Sequence, residues 1–376
     1  MAPAPTIFLS AGEPSGDLHG AAVARALRRR WPDARLLGLA GPRMETEGVE
    51  PIVPFERLAV MGFVEVARHL PFFLGLLRRT AKILEERRVD LVIPIDYPGF
   101  NLRLARAAAA RDVPVLYYIA PQVWAWHRSR AARLATTADR LAVILPFEEE
   151  IFREHGARVR FVGHPLTSRQ EPVQEREPLC RALALDPARR ILALFPGSRL
   201  QEVERHLEPF TEAARRVVDA RWHVQPVVAR SPDVDPAAYA ASPFPMTTDG
   251  RSLLAHAHAA LVKSGTTTLE AALAGVPMVI AYRTHPATFW LARRLVRVEH
   301  VGLANLVAGR RVAPELLQEE ATPGALAAAL LPLVDEGPAR SAALEGLRGV
   351  REALRPEGSA TAGDRVADLA GELLDR

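Results

Sequence analysis

"TIFLSAGEPSGDLHG", residues 6–20, joins a short apolar run to a glycine-rich turn and then to a helical pattern. The turn places three glycines and two carboxylates directly after the strand-like residues. Similar apolar, β-branched runs recur along the chain with helical segments between them, which is typical of a parallel sheet covered by helices on both faces. The stretch therefore predicts an α/β fold built from doubly wound, Rossmann-like lobes.

The chain length and one polar segment predict two such lobes. A chain of 376 residues favours two domains, and "HPLTSRQEPVQEREP", residues 164–178, separates two series of strand and helix patterns. We expect an N-terminal domain over residues 1–166 and a C-terminal domain over residues 167–345. The helical patterns of residues 346–376 are expected to return to the first domain. Two such lobes would face each other across a cleft, with the chemistry at the carboxyl ends of the strands.

Composition and charge restrict the class of protein. Hydrophobic residues make up 49% and charged residues 24% of the chain, so ordinary buried cores are expected. The net charge is +4, and lysine occurs only at Lys82 and Lys263, so arginine supplies nearly all the cations. This charge suits nucleic acid, an anionic membrane surface or a phosphorylated substrate, and total charge cannot separate them.

Three further features predict a cytoplasmic protein. The single cysteine, Cys180, excludes an internal disulfide and favours a reducing compartment. The first residues lack the basic and apolar regions of a signal peptide. The apolar stretch of residues 70–77 is far shorter than the roughly 18 residues needed to span a bilayer.

Acidic residues that follow strand patterns in the first lobe are candidates for acid–base chemistry. Asp96 ends the buried run "LVIPID", where its carboxylate would point into the cleft and act as a general base toward a hydroxyl nucleophile. The alternative is that Asp96 caps the helix that begins near Asn101. Glu13 and Asp17 in the opening turn carry the same ambiguity, although Gly12 lets the backbone approach a ligand closely.

Two strand-to-helix turns in the second lobe have the composition of phosphate-binding sites. "FPGSR", residues 195–199, leads into a helix, where backbone amides and a guanidinium attract a diphosphate. "SGTTTLE", residues 264–270, repeats the device and adds a carboxylate that can hold a ribose. Plain helix capping is the alternative for each turn. Together they indicate a nucleotide, with predicted contacts at Gly197, Ser198, Arg199, Ser264, Gly265, Thr266 and Glu270.

Two segments of the first lobe combine apolar side chains with cations. Residues 72–77 hold two phenylalanines and three leucines ahead of several basic residues, as an interfacial segment does; an ordinary helix with a buried apolar face is the alternative. Residues 117–134 place tryptophans and a histidine beside a basic helix, either for packing or for contact with a sugar or acceptor phosphate. The candidate acceptor or membrane contacts are Phe72, Phe73, Leu76, Arg78, Arg79, Trp124, Trp126 and His127.

Several catalytic motifs are missing from the sequence. It contains no Cys or His cluster with metal-ligand spacing, no P-loop and no GxSxG nucleophile elbow. Metal and acyl-enzyme chemistry are therefore unsupported, and no cofactor is expected. Nothing in the sequence resembles a nucleic-acid-binding motif, so no nucleic-acid partner is expected either.

Many stretches, in one order along the chain, resemble a single enzyme family. They include "SAGEPSGD", "YYIAPQVWAW", "FVGHPL", "PGSR" and "SGTTTLEAAL". From about residue 7 to residue 333 the chain resembles lipid-A-disaccharide synthases, inverting glycosyltransferases of the two-lobe GT-B type. The resemblance implies transfer of 2,3-diacylglucosamine from its UDP derivative to 2,3-diacylglucosamine 1-phosphate, which releases UDP and forms a β-1,6-linked disaccharide.

The resemblance also implies a location and partners. It places the enzyme peripherally at the inner face of the cytoplasmic membrane, where residues 61–88 match the region that approaches lipid substrates. The oligomeric state stays open, with a homodimer as one alternative.

Roles for individual residues follow from the resemblance as well. It implies that Asp96 takes the proton from the acceptor 6-hydroxyl and that Glu13 lies near the reaction centre. It assigns Asn305 to the active site. The chain departs from the family at Gly99, where an aspartate is usual, which concentrates the catalytic task on Asp96, and at His127, where an arginine is usual.

In the second lobe the resemblance gives the two turns distinct tasks. Arg199, with the turns at Gly197 and Ser264, would stabilise the departing diphosphate without a metal. Glu270 would hold the ribose.

Two alternatives of other classes are retained. One is a UDP-sugar 2-epimerase or another GT-B transferase on the same scaffold, because fold does not fix function. The other is a protein that binds UDP and lipid without turnover. The interfacial segment argues against a soluble epimerase, and an acid such as Asp96 in the cleft argues against a non-catalytic protein.

Overall fold

A computed structural model describes residues 4–59, 70–122, 128–168, 172–285, 289 and 299–375. The chain divides into two compact units. The first comprises residues 1–168 and 355–376, and the second comprises residues 169–354. The N-terminal segment of the first unit thus ends at Ser168, where the sequence suggested residue 166.

The first unit is built on parallel strands whose order reverses at its centre. Its strands in the described residues are β1 (Thr6–Ser10), β2 (Arg35–Leu39), β3 (Glu50–Pro51), β4 (Leu91–Pro94), β5 (Leu116–Tyr118), β6 (Arg140–Val143) and β7 (Val159–Phe161). They form sheets of order β3-β2-β1-β4 and β5-β6-β7, and parallel bridges from Val92 to Val115 and from Ile95 to Tyr118 connect the two. The strand order switches direction between β1 and β4, which is where ligands bind in folds of this class.

Helices cover both faces of this sheet. They are α1 (Pro14–Arg30), α2 (Pro42–Thr46), α3 (Glu56–Ala59), α4 (Leu70–Glu86), α5 (Pro98–Ala109), α6 (Arg128–Thr137) and α7 (Pro146–Arg153). Successive residues of β1 point to opposite faces, so Ile7 and Leu9 join one buried cluster and Phe8 joins another. The β1 run is apolar throughout because both of its faces are buried.

The second unit repeats the same strand order. Its strands are β8 (Arg190–Phe195), β9 (Val224–Ala229), β10 (Met246–Thr247), β11 (Ala257–Lys263), β12 (Met278–Tyr282) and β13 (Glu315–Leu317). They form one parallel sheet of order β10-β9-β8-β11-β12-β13, so the switch point lies between β8 and β11. Its helices are α8 (Arg176–Ala182), α9 (Leu200–Ala220), α10 (Gly250–His256), α11 (Thr267–Ala274), α12 (Leu303–Ala308), α13 (Pro323–Val334) and α14 (Pro338–Ala353).

The C-terminal helix α15 (Ala362–Leu374) returns to the first unit. Val366, Leu369 and Leu373 join the cluster that contains Ile7 and Leu9. The returning segment begins at Arg355, not at residue 346 as the sequence suggested. Residues 346–353 belong to α14, which packs on α11 and α12 of the second unit.

Candidate active site

Two carboxylates lie at the switch point of the first sheet. Glu13 is the N-cap residue of α1, just beyond β1, and its side chain is exposed. Asp96 follows β4, the neighbour of β1, and is half-buried. Burial raises the pKa of Asp96 to about 6, the negative charge of Glu13 adds to this effect, and the Tyr97 amide partly offsets it. A carboxylate with this pKa is mostly ionised at neutral pH and is a stronger base than an ordinary aspartate.

The backbone at Asp96 adopts a conformation that non-glycine residues rarely take. Asp96 has φ +48° and Tyr97 has φ +49°, each at a cost of about 1–3 kcal/mol. Several hydrogen bonds hold this turn: the Asp96 amide donates to the carbonyl of Tyr118 over 3.0 Å, and its carbonyl accepts from Asn101 Nδ2 at 2.8 Å and from the Tyr117 hydroxyl at 3.0 Å. The buried Asn101 also donates to the Ser10 carbonyl of β1, so it fixes Asp96 relative to both strands.

The helix-capping interpretation has different outcomes for Asp96 and for Asp17. The N-cap residue of α5 is Tyr97, not Asp96, and α5 has no side-chain cap, so capping does not account for the Asp96 carboxylate. Asp17 is buried and accepts hydrogen bonds from the amides of Gly41, Arg43 and Met44 at 3.0 Å each. Asp17 therefore stabilises the start of α2 and is not available for catalysis.

A close backbone approach explains one glycine of the opening turn. A Cβ atom on Gly12 would lie 2.4 Å from the ring of Tyr97, so a larger residue there would displace this ring. Burial and then the charge of Glu13 raise the pKa of Tyr97 to about 12. The phenol therefore stays protonated beside the two acids.

The first turn of the second unit lies at the end of β8. Gly197 has φ +140°, and Arg199, which is exposed, is the N-cap residue of the 21-residue helix α9. The Ser198 amide already donates to Glu202 Oε2 at 3.0 Å, so it is not free for a phosphate, in contrast to the sequence-based expectation. The Glu202 amide in the first turn of α9 donates to the Arg199 carbonyl at 2.9 Å, which leaves the amides of Leu200 and Gln201 as the anion donors at this helix start.

The second turn lies at the end of β11, the neighbour of β8. The buried Ser264 donates its hydroxyl to the Val301 carbonyl at 2.9 Å and its amide to the Ala281 carbonyl at 2.9 Å, so its hydroxyl positions the loop before α12. Thr266 is the N-cap residue of α11 without a side-chain cap, and Glu270 lies half-buried in the first turn. The capping-box alternative for this turn is therefore wrong.

Comparison with known proteins decides the family. Residues 7–365 match the family model described as lipid-A-disaccharide synthetase. The lipid-A-disaccharide synthase of Acidobacterium capsulatum is 41% identical over 393 aligned residues, covering 100% of this chain and 98% of that protein. The synthase of Trichlorobacter lovleyi is 41% identical, covering 98% of each chain.

The chain belongs to the lipid-A-disaccharide synthase family. It is a hexosyltransferase of lipid A biosynthesis, and the 2-epimerase alternative is not favoured. Among solved structures, the kitacinnamycin glycosyltransferase aligns with a TM-score of 0.68 over 99% of both chains at 19% identity. That likeness concerns the fold alone and agrees with two Rossmann-like lobes of the GT-B type. Substrates of this synthase family are UDP-sugars and lipids.

One residue that the family resemblance assigned to the active site has another task here. Asn305 of this synthase is fully buried. Its Nδ2 donates to the Ala313 carbonyl and to Glu315 Oε1, and its Oδ1 accepts from the amides of Val312 and Ala313. Because all its hydrogen-bonding groups are used, Asn305 does not present its amide to a substrate. It holds Glu315, whose carboxylate in turn accepts the amides of Val301 and Gly302 at the start of α12.

Sequence reasoning missed an ion pair beneath the two turns. Lys263 Nζ lies 2.8 Å from Glu202 Oε1, and both side chains are largely buried. The only available signal was that Lys263 is one of two lysines in an arginine-rich chain.

Sequence reasoning also missed His206, a fully buried residue of α9. His206 Nε2 accepts the Arg283 amide at 2.9 Å, and Nδ1 lies 2.7 Å from the Glu202 carbonyl, which assigns a neutral ring with its proton on Nδ1. Burial lowers the pKa of His206 to about 4.

Helix α4 buries some of the candidate acceptor or membrane contacts and leaves others exposed. Leu76 is buried in the core of the first unit, and Phe72 and Phe73 are half-buried and pack against the same core. The ring centroids of Phe73 and Phe100 lie 6.3 Å apart. The expectation that Leu76 faces a membrane is therefore wrong, because the core takes this face of the helix. The residues of α4 that remain exposed include Leu74, Arg78 and Arg79. Trp124, Trp126 and His127 lie outside the described residues.

Proposed function

We propose that Asp96 is the general base of the disaccharide-forming reaction. It takes the proton of the acceptor 6-hydroxyl as that oxygen bonds to the anomeric carbon of the donor sugar. The bond from this carbon to the diphosphate breaks with inversion, and UDP leaves. The observation that carries the proposal is a carboxylate at the switch point whose pKa is raised to about 6, held by a left-handed turn that several hydrogen bonds fix in place.

Glu13 has a supporting task in this proposal. Its carboxylate is exposed beside Asp96 and raises the pKa of that residue. A nearby negative charge thus makes Asp96 a stronger proton acceptor while leaving it ionised at neutral pH. Glu13 acts through Asp96 and is a positioning and tuning residue.

The UDP site of this proposal consists of the two turns at the switch point of the second sheet. Helices α9 and α11 begin at these two turns, and Arg199 adds an exposed guanidinium. Negative charge that develops on the leaving diphosphate is stabilised by such fixed donors. Glu270, in the first turn of α11, accepts from the ribose hydroxyls.

Titration of the protein with UDP tests this placement. Arg199→Ala should raise the Kd for UDP by about 10- to 100-fold, because a charge-assisted hydrogen bond contributes roughly 1.5–3 kcal/mol. Arg215→Ala is the matched control, since Arg215 is an exposed arginine of the same helix that pairs only with Glu212 among the described residues. Equal affinity of the Arg199 variant and the wild type would contradict the placement.

The proposal includes peripheral association with the inner face of the cytoplasmic membrane. No helix in the described part of the chain is long and apolar enough to cross a bilayer. The exposed side chains of α4, Leu74 at 41% exposure with Arg78 and Arg79, combine an apolar contact with cations for anionic headgroups. Co-sedimentation with phosphatidylglycerol vesicles should fall for Arg78→Glu/Arg79→Glu and stay unchanged for Arg215→Glu; equal binding of both variants would contradict this surface.

A further inference from the structure

The ion pair between Glu202 and Lys263 connects the two turns of the proposed UDP site. Glu202 lies on α9, which follows the turn at Gly197, and Lys263 is the last residue of β11, directly before the turn at Ser264. The Nζ to Oε1 distance is 2.8 Å, and the side chains are 18% and 16% exposed. A pair this enclosed is screened less by salt than a surface pair.

Glu202 builds the first turn with its second oxygen. Oε2 accepts the Ser198 amide at 3.0 Å, and a Cβ atom on Gly197 would lie 2.4 Å from Glu202 Cβ and 2.8 Å from Oε2. Gly197 adopts φ +140°, which favours glycine. The carboxylate therefore occupies the inner side of the turn that is expected to receive a diphosphate.

An ionised carboxylate in this place opposes the binding of an anion. Burial acts to raise the pKa of Glu202, but the hydrogen bond and charge of Lys263, the Ser198 amide and Arg199 outweigh it, so the pKa is lowered and Glu202 stays ionised. Like charges at short range inside a protein repel strongly. The turn thus depends on a group whose charge has the wrong sign for its ligand.

Lys263 lies where it can cancel that charge for both turns. A Cβ atom on Gly265 would lie 3.7 Å from Lys263 Nζ, so the ammonium lies close to the backbone of the second turn. Nζ also lies 5.7 Å from the ring centroid of Tyr282, in a cation–π contact that helps to hold it. The Lys263 ammonium therefore contacts Glu202, which shapes the first turn, and lies next to Gly265 of the second turn.

We propose that Lys263 neutralises Glu202, so that this carboxylate can shape the Gly197–Ser198 turn without repelling the diphosphate that the two turns bind. Both are positioning residues, and the inference rests on the proposed UDP site. If the proposal is right, loss of Lys263 weakens the binding of ligands that carry a diphosphate more than the binding of ligands without one. An ion pair that only stabilises the fold would affect both kinds of ligand alike.

The test is a set of three variants titrated with UDP and with uridine. Lys263→Met leaves an unpaired carboxylate, so the Kd for UDP should rise about tenfold or more while that for uridine changes little. Glu202→Gln keeps an oxygen that can accept the Ser198 amide and removes the charge, so the Kd for UDP should stay within about threefold of the wild type. Glu202→Gln/Lys263→Met should bind UDP more tightly than Lys263→Met alone, because the repulsive charge is gone.

Rescue by the second substitution is the decisive result. If Lys263→Met and Glu202→Gln weaken UDP binding equally and the double variant is no better, the pair is only structural and the inference is overturned. Arg215→Met, which breaks the exposed pair of Arg215 and Glu212 on the same helix, should leave the Kd unchanged. Should Lys263→Met fail to fold, the inference still requires that Lys263→Arg and Glu202→Gln retain UDP affinity; a large loss in either would overturn it.

The same titrations separate this inference from the UDP site itself. If Arg199→Ala binds UDP like the wild type, the proposed site is wrong. If Arg199→Ala weakens binding but Lys263→Met does not, the site stands and the inference about Lys263 fails.

Discussion

The switch points of the two sheets hold carboxylates in opposite electrostatic surroundings. Asp96 follows β4 in the first unit, where burial and the charge of Glu13 raise its pKa to about 6. Glu202 lies in the first helical turn of α9, the helix that follows β8 in the second unit, where burial alone would raise its pKa but Lys263 and the Ser198 amide lower it. The same strand order thus supports a proton acceptor in one unit and, in the other, a carboxylate whose neighbours favour its ionised form and which shapes a turn.

The difference shows that neighbouring charges decide the chemical role of an acid in this fold. A parallel sheet delivers side chains to the carboxyl edge at its switch point, whatever their task. A second carboxylate beside the first makes a base, and an ammonium beside the carboxylate makes a fixed ion pair. Three predictions test this contrast.

The largest effect is expected from Asp96→Asn. Loss of a general base lowers kcat by about 10²- to 10⁴-fold, while the Kd for UDP, which is assigned to the other unit, should not change. The raised pKa of Asp96 means that its contribution to stability is present below the unfolded value of 3.8 and is lost as the pH rises through about 6. A neutral asparagine avoids this loss, so the free energy of unfolding at neutral pH should rise by about 3 kcal/mol.

A mass-spectrometric assay of disaccharide, together with thermal unfolding, measures both changes. Asp112→Asn is the matched control, because Asp112 is an exposed aspartate that also has a left-handed backbone, with φ +54°. It should alter neither turnover nor stability. Retention of most turnover by Asp96→Asn would remove Asp96 from the mechanism.

A smaller effect is expected from removing the two buried asparagines, one in each unit. Asn101→Ala and Asn305→Ala each leave buried polar groups without partners, so each free energy of unfolding should fall by about 1–3 kcal/mol. Asn101→Ala should also lower kcat, because Asn101 holds the carbonyl of Asp96. Asn305→Ala should chiefly raise the KM for the UDP-sugar, because Asn305 holds Glu315 and the start of α12.

Denaturant unfolding and steady-state kinetics on both variants separate these outcomes. A large loss of kcat in Asn305→Ala without any loss of stability would restore a direct catalytic role for Asn305.

The sequence predicted the two α/β lobes and the place of the acid and the turns. The change from a strand pattern to a helix pattern shows where Asp96, Gly197 and Ser264 lie, because strand ends are local features of the chain. Contacts between distant segments are not visible in this way: nothing in the sequence shows that Glu202 accepts the Ser198 amide, that Asn305 is fully bonded, or that the core takes Leu76. The pKa of Asp96 likewise depends on a residue more than 80 positions away, Glu13.

The most direct test of the account is the pH dependence of kcat/KM for the wild type and for Glu13→Gln. In the wild type the rate should fall as the pH drops through about 6, because Asp96 becomes protonated. Removing the negative charge of Glu13 lowers the pKa of Asp96, so the acid limb of the Glu13→Gln profile should move to lower pH. An acid limb that stays in place, or that moves to higher pH, would contradict the claim that Glu13 tunes Asp96 as the base.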